Sequence, residues 1–299
     1  MSYQLPAVSD QGVGPTTVVR LVDDAARRLR SRGIDDVRLE VEVMLAAAMG
    51  VDRTHLLARL HDEVPVGARP RFEAMVVRRL AREPLAYVLG HREFYDIEIE
   101  CGPGALIPRR ESELLVDLAL DEIASRNREV RVADVGTGSG ALAVAIALNA
   151  GAARVTAIDD SPEALDVAHR NVARYGLLEQ VTLAEGDLLE GTGVFDVIVA
   201  NLPYVTEDEW RWLQTEIREY EPRIALVAGA VGTETIERLL RTGPEHLAAG
   251  GLLAAEIGCT QGAHLLHVAR QRAPDAPCNV MKDLAGRDRA LVVRKQRGG

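Results

Sequence analysis

The stretch "VRVADVGTGSGALAVAIAL", residues 130–148, joins two apolar segments through three closely spaced glycines. The β-branched residues of "VRVADV" predict a buried strand, and "GALAVAIALNAG" predicts a helix. Gly136, Gly138 and Gly140 remove side chains where the backbone turns sharply between the two elements and must approach a ligand. A strand, a glycine-rich turn and a helix in this order favour a nucleotide-type ligand in an α/β protein.

The same alternation continues toward the C-terminus. Strands are predicted at "RVTAIDD", "VTLAEGD", "FDVIVANLPY", "LLAAEIG" and "RALVVRKQ". Helices are predicted between them, including one over "GTETIERLLRTGPEHLAAGG". Repeated β–α units predict an α/β fold, a parallel sheet with helices on both faces, which binds ligands beyond the carboxyl ends of its strands.

The first third of the chain has a different pattern. Residues 16–90 have apolar residues at helical spacing and predict a small helical domain behind a disordered lead, residues 1–15. "REFYDIEIE" alternates like a strand, and "CGPG" (Cys101–Gly104) is typical of a turn. We therefore predict a β-hairpin linker over residues 91–110, followed by the α/β domain, residues 111–299.

Composition limits the classes of function. The 299-residue chain has a net charge of −10, which argues against a general nucleic-acid-binding surface. Cys101, Cys259 and Cys278 are too few and too far apart for a disulfide framework or a metal site. The N-terminus has no apolar signal segment, and the longest apolar run is too short to span a bilayer. We expect a cytoplasmic protein with no metal and no membrane contact.

An acidic residue follows the second strand of the predicted sheet. Asp159 lies 19 residues beyond Gly140, where a carboxylate can accept hydrogen bonds from a ribose diol. Asp187, after the third strand, is a candidate for the adenine edge. The spacing alone does not separate NAD from S-adenosylmethionine (SAM).

A second polar motif, "NLPY" (Asn201–Tyr204), follows the fourth strand at the same predicted edge. Asn201 offers an amide carbonyl that can accept from a substrate –NH2 group. Pro203 restricts the backbone, and Tyr204 can stack on a flat amide or base. The motif therefore favours a site that orients a planar nitrogen acceptor.

Together, "DVGTGSG" and "NLPY" resemble the class I SAM-dependent methyltransferases that modify planar amino groups. This pair alone leaves adenine and glutamine methylation both open. Longer stretches narrow the resemblance: "REPLAYVLGHREFYDIEIECGPGALIPRRESELLV", "EPRIALVAGAVGTETIERLL", "GGLLAAEIGCTQG" and "KDLAGRDRALVV". They resemble the PrmC/HemK family of protein-glutamine methyltransferases, over about residues 17–294.

This resemblance implies a Rossmann-like, seven-stranded methyltransferase fold with a helical N-terminal domain that grips the substrate. It implies methyl transfer from SAM, with S-adenosylhomocysteine as product, to the side-chain nitrogen N5 of a glutamine. That glutamine belongs to the GGQ motif of class I peptide-chain release factors. A monomer without a stable nucleic-acid partner is expected.

The resemblance also assigns site residues. Those expected around SAM are Gly136, Thr137, Gly138, Ser139, Gly140, Asp159, Asp187, Leu188 and Asn201. Asn201 is expected to contact the glutamine amide, with Leu202, Pro203 and Tyr204 completing the acceptor pocket. Asn201, Pro203 and Tyr204 are the residues assigned to catalysis.

Two positions depart from the family pattern. Leu202 replaces the first proline of Asn-Pro-Pro-Tyr, and we expect it to contribute chiefly a backbone carbonyl. Arg110 replaces the proline of an "IPRPETE"-like segment. The "NLPY" spelling also occurs in rRNA adenine dimethyltransferases, so the alternative is an adenine N6-methyltransferase acting on DNA or RNA. A SAM-binding module without catalysis is a third hypothesis, and an NAD oxidoreductase a fourth.

Overall fold

The computed structural model describes residues 16–296. The chain divides into two compact units, Met1–Leu89 and Gly90–Gly299. The predicted disordered lead lies outside the described residues, and the roles predicted for the domains stay predictions. Within residues 16–296, no helix combines the length and the apolar character that a membrane span requires.

The first unit is helical. Its helices are α1 (Val18–Arg30), α2 (Val37–Met49), α3 (Arg53–Leu57), α4 (Ala68–Leu80) and α5 (Leu85–Leu89). They enclose a core of their own, in which Leu29, Met44 and Phe72 are among the largest buried side chains. Val22 is buried on the inward face of α1, and Val18 is buried at its start.

The second unit is the α/β unit. Its strands are β1 (His91–Phe94), β2 (Ile97–Glu100), β3 (Val130–Val135), β4 (Ala153–Asp159), β5 (Val181–Glu185), β6 (Phe195–Ala200), β7 (Val205–Thr206), β8 (Val227–Gly229), β9 (Leu247–Glu256), β10 (Cys278–Lys282) and β11 (Asp288–Arg294). Its helices are α6 (Glu113–Ala124), α7 (Ala141–Asn149), α8 (Pro162–Arg174), α9 (Glu207–Trp210), α10 (Thr215–Tyr220), α11 (Glu234–Thr242) and α12 (Gly262–Arg272). Short 3-10 turns occur at Arg110–Ser112 and Arg223–Ala225.

The main sheet has seven strands in the order β10-β11-β9-β6-β3-β4-β5. The predicted α/β class and strand number are confirmed. The predicted parallel pairing is confirmed for β9, β6, β3, β4 and β5. It does not extend to β11, which pairs antiparallel with both β9 and β10. The sequence pattern also did not predict β10, whose residues alternate only weakly between partly buried and exposed.

Helices cover both faces of this sheet. Side chains of α6 and α7 pack on one face, where α7 is apolar all round and almost entirely buried. Side chains of α11 and α12 pack on the other face. Successive side chains of the central strands point to opposite faces of the sheet, and each face packs into its own hydrophobic core.

Two local predictions are wrong. The hairpin of β1 and β2 closes at Tyr95 and Asp96, with left-handed φ values of 49° and 59°, rather than at Cys101–Gly104. The helix predicted over residues 232–251 ends at Thr242, before Pro244. Residues from Leu247 belong to β9, because Leu247 pairs with Phe195 of β6. Pairing with a neighbouring strand overrides the local helical pattern there.

Strand register brings the predicted site residues to one edge. Val135 of β3 is aligned with Ile158 of β4 and with Ala200 of β6. Ala200 is in turn aligned with Ala255 of β9. The residues that follow this row are Gly136, Asp159, Asn201 and Glu256. The chain winds away from the β3–β6 boundary in opposite directions, and ligands bind at such a switch point.

Candidate active site

A cavity opens at this carboxyl edge of the sheet. The predicted site residues that line it are Gly136, Thr137, Gly138, Ser139, Asp159, Asp187, Leu188, Asn201, Leu202 and Pro203. Gly140 and Tyr204 belong to the same two loops but are not among the lining residues. The structure therefore brings the two predicted motifs together at one cavity, and their roles toward a ligand stay predictions.

The glycine loop fits a bound nucleotide-like group sterically. Gly136 has a φ of 71°, and a Cβ there would lie 2.9 Å from Leu202 Cδ2. Gly138 has a φ of 55°, and a Cβ there would have no atom within 4 Å, so its backbone borders open space. Gly140 instead packs on Ala168 of α8, where a Cβ would meet the backbone at 3.2 Å. The loop thus presents bare backbone to the cavity.

A buried carboxylate near the end of β3 accepts hydrogen bonds from this loop and from the start of α7. Asp134 is fully buried, and its Oδ2 accepts from Thr137 Oγ1 at 2.6 Å and from the Ala143 N–H at 3.1 Å. Its Oδ1 has no hydrogen-bond partner among the described residues. Burial raises the pKa of Asp134 to about 7, and the nearby charge of Asp159 adds to the effect.

Asp159, the predicted diol-binding acid, ends β4 and lines the cavity. Its Oδ2 accepts from the Gly138 N–H at 2.8 Å and its Oδ1 from the Ser161 N–H at 3.0 Å. Burial raises its pKa, while these backbone donors oppose the shift. Each carboxylate oxygen has further lone pairs, so the group can still accept from hydroxyls in the cavity.

The predicted adenine side contains an ion pair. Asp187 Oδ2 accepts from Arg238 Nη2, and both residues line the cavity. Leu188, beside it, has a left-handed φ of 56°. A branched residue in this conformation is strained, and such strain occurs frequently at ligand sites. Both Asp187 and Leu188 line the cavity, and their role beside the adenine stays a prediction.

In the "NLPY" loop, Asn201 is the first link of a chain of hydrogen bonds that leads to buried side chains. Its Nδ2 donates to Ser112 Oγ at 2.9 Å, and Ser112 Oγ donates to Glu256 Oε2 at 2.6 Å. Ser112 and Glu256 are 3% and 1% exposed. Burial raises the pKa of Glu256, and the hydroxyl donors oppose the shift.

Tyr204 joins the same carboxylate from the other side. Its hydroxyl donates to Glu256 Oε1 at 3.1 Å, and burial together with the Glu256 charge raises the pKa of Tyr204. The Tyr204 carbonyl accepts from Gln261 Nε2 at 2.9 Å, and Gln261 also bridges to the Gly232 carbonyl. The "NLPY" loop is therefore held by several segments of the α/β unit.

The side chain of Leu202 makes contacts beyond the backbone role predicted for this residue. Its side chain is 5% exposed and packs in the core against Gly136, so it couples the acceptor loop to the glycine loop. Arg110, the second departure from the family pattern, begins the 3-10 turn that contains Ser112.

A second ion pair joins two other segments that border the cavity. Arg109 Nη2 donates to Glu221 Oε1 at 2.5 Å, and the Ile107 N–H donates to Glu221 Oε2 at 3.0 Å. The neighbouring Pro108 and Pro222 line the cavity. Glu221 thus fixes the loop after the hairpin against the segment after α10.

Family comparisons agree with this architecture. A family model described as "PrmC N-terminal domain" matches residues 20–90. A second, described as "Ribosomal protein L11 methyltransferase (PrmA)", matches residues 116–203. The second match includes the glycine loop and ends within "NLPY".

Curated relatives match nearly the whole chain. The release factor glutamine methyltransferase of Rhodopirellula baltica is 40% identical over 94% of this chain and 97% of its own length. The protein of the same name from Moorella thermoacetica is 39% identical over 94% of this chain and 99% of its own. The chain belongs to the release factor glutamine methyltransferase family. The predicted family and the predicted SAM-dependent methyltransferase class are thereby confirmed.

A solved structure supports the fold of this family member. The catalytic domain of hMettl16, in complex with MAT2A 3′UTR hairpin 6, superposes with a TM-score of 0.53 at 14% identity. The match covers 76% of this chain and 81% of that chain. At this identity the likeness concerns the fold alone.

Several contributors to the site were missed from the sequence. They are Ser112, Glu221, Glu256, Gln261 and Arg289, which carries part of the charge near Glu256. Glu256 had a visible signal, because it is a carboxylate at the end of the apolar segment "LLAAE" and at the same sheet edge as Asn201. Ser112 had none, since its hydrogen-bond partners lie 89 and 144 residues away in the chain.

Proposed function

We propose that the protein transfers a methyl group from SAM to the side-chain N5 of the glutamine in the GGQ motif of class I peptide-chain release factors. The observation that carries the proposal is the match to curated release factor glutamine methyltransferases over 94% of the chain at 40% identity. The site geometry supports it independently, since a donor-type loop and an amide-orienting Asn201 border the same cavity.

The donor half consists of the glycine loop and Asp159. Gly136–Gly140 would pass along the cofactor with bare backbone, and Asp159 would accept from its ribose hydroxyls. Asp187 and Leu188 would flank the adenine. When bound, SAM supplies an electrophilic methyl group. The chain's own residues would hold SAM at the loops that follow β3 and β4.

The acceptor half consists of Asn201 and its neighbours. Asn201 Oδ1 would accept one N–H of the substrate amide, and the backbone carbonyl of Leu202 would accept the other. An amide nitrogen is a weak nucleophile, so the site gains rate mainly by holding the nitrogen in line with the methyl group. One N–C bond forms as the S–C bond breaks, and one amide proton is released to solvent.

The substrate side also needs a surface for the release factor. We propose that the helical unit contributes it, as the match of residues 20–90 to a dedicated N-terminal family model supports. The net charge of −10 favours a protein partner over nucleic acid. We further propose that the enzyme acts as a monomer.

The experiment is a substrate panel with methyl-labelled SAM. The full-length protein is incubated with a release factor, with the same release factor carrying alanine in place of the GGQ glutamine, and with DNA and RNA. Label on the release factor with its GGQ glutamine, and on none of the other three samples, supports the proposal. Label on nucleic acid alone would establish the adenine alternative, and SAM binding without transfer would establish a non-catalytic module.

A further inference from the structure

The orientation of the Asn201 amide decides whether the acceptor site works. An asparagine amide has a donor end and an acceptor end of nearly equal shape, and rotation by 180° exchanges them. With Oδ1 facing the cavity, Asn201 can accept from a substrate N–H. With Nδ2 facing the cavity, two N–H groups would oppose each other.

Ser112 distinguishes the two orientations. A serine hydroxyl has one proton to donate, and Ser112 Oγ directs it to Glu256 Oε2 at 2.6 Å. Its lone pairs therefore face Asn201, which donates from Nδ2 at 2.9 Å. The reversed amide would place Oδ1 against the hydroxyl oxygen and leave a buried repulsive contact.

Glu256 is placed to keep this direction of donation. Its two carboxylate oxygens accept from two different hydroxyls, Ser112 on one side and Tyr204 on the other. Glu256 is 1% exposed, so solvent does not compete for these positions. Arg289, on β11 beside β9, adds a favourable charge.

We propose that Ser112, held by Glu256, is a positioning residue that fixes the side-chain amide of Asn201 with its carbonyl toward the substrate. This inference rests on the proposed function, because it concerns the same acceptor site. Ser112 does not itself contact reacting atoms. Its contribution is therefore expected in turnover rather than in SAM affinity.

The test compares Ser112→Ala, Ser112→Thr and the control Ser125→Ala in the full-length protein. Ser125 donates to the Glu122 carbonyl at the end of α6 and lies outside the cavity lining. Ser112→Ala should lower kcat on the release factor about tenfold, the effect of about 1.4 kcal/mol. Its SAM Kd should stay at the wild-type value, whereas its Tm should fall, because Glu256 Oε2 loses a buried hydrogen-bond donor. Ser112→Thr, which restores a hydroxyl, should recover most of the lost turnover.

A double-mutant cycle with Asn201→Ala separates positioning from a general structural role. If Ser112 acts through Asn201, Ser112→Ala should cause no further loss of kcat in the Asn201→Ala background. An equal loss in both backgrounds, or full turnover of Ser112→Ala, would overturn the inference. Failure of the proposed function is distinct, because wild-type protein would then transfer no methyl group to the release factor at all.

Discussion

Asn201 and Asp159 both line the cavity, Asn201 on its proposed acceptor side and Asp159 on its proposed donor side. They lie at the ends of different strands of the same sheet, and each is held by contacts that the other does not share. Substitutions at the two positions should therefore affect different steps, although both residues line one cavity.

Asn201→Ala should lower methyl transfer about 100-fold, because the substrate nitrogen loses the group that orients it. SAM affinity should stay close to the wild-type value, since the change lies on the acceptor side. Measurements of kcat with the release factor and of Kd by calorimetry with SAM check both parts. Full turnover of the variant would contradict the orienting role.

Asp159→Ala is the reciprocal control. It should weaken SAM binding about tenfold or more, because a charged acceptor for the ribose hydroxyls is lost. The Gly138 and Ser161 N–H groups also lose their partner. Unchanged SAM affinity in this variant would place the ribose elsewhere.

Asp134 predicts a pH dependence of stability. Its folded-state pKa is raised from 3.8 to about 7, so between these values the folded state keeps a proton that the unfolded state releases. Its contribution to stability is therefore present at low pH and is lost as the pH rises toward and through about 7.

Asp134→Asn mimics the protonated form and should remove this dependence. We subtract the free energy of unfolding of the wild type from that of the variant. This difference should grow from about pH 4 to about pH 7 and level off above that. Urea unfolding at several pH values measures it. A difference that does not change with pH would show that Asp134 is ionised throughout.

Among the loops, the contact between Gly136 and Leu202 joins the two halves of the site. A Cβ on Gly136 would lie 2.9 Å from Leu202 Cδ2, and the left-handed φ adds strain. Gly136→Ala should therefore lower the free energy of unfolding by about 1–3 kcal/mol.

A double-mutant cycle separates the two causes. If the clash matters, combining Gly136→Ala with Leu202→Ala should destabilise less than the sum of the single changes. If the losses of unfolding free energy, measured by urea unfolding, are strictly additive, backbone strain alone accounts for the effect of Gly136→Ala. Gly138→Ala is the matched control, because its Cβ would meet no atom within 4 Å.

The sequence predicts the elements better than the contacts between them. The glycine loop and "NLPY" were found because each follows an apolar strand that is recognisable locally. The hairpin turn was misplaced because Tyr95 and Asp96 adopt left-handed φ without glycine. Ser112 and Glu256 could not be paired, since they lie 144 residues apart in the chain and meet only in the folded structure.

For the chain as a whole, each of the two compact units has a hydrophobic core of its own. A fragment of residues 90–299 should therefore fold and bind SAM with unchanged affinity. Its KM for an intact release factor should rise at least about tenfold, equivalent to about 1.4 kcal/mol of lost binding.

Calorimetry with SAM and steady-state kinetics check these two expectations on the fragment and the full chain. Loss of SAM binding by a folded fragment would show that the helical unit supports the cofactor site. An unchanged KM would show that the helical unit does not contribute to substrate recognition.

The most direct measurement of the central claim is tandem mass spectrometry of a release factor incubated with the full-length protein and SAM. We predict a gain of one methyl group on the side-chain nitrogen of the GGQ glutamine, and a strongly reduced gain with Asn201→Ala. Methylation at another residue would contradict this claim. So would a GGQ peptide that is still unmethylated after prolonged incubation with the protein and SAM.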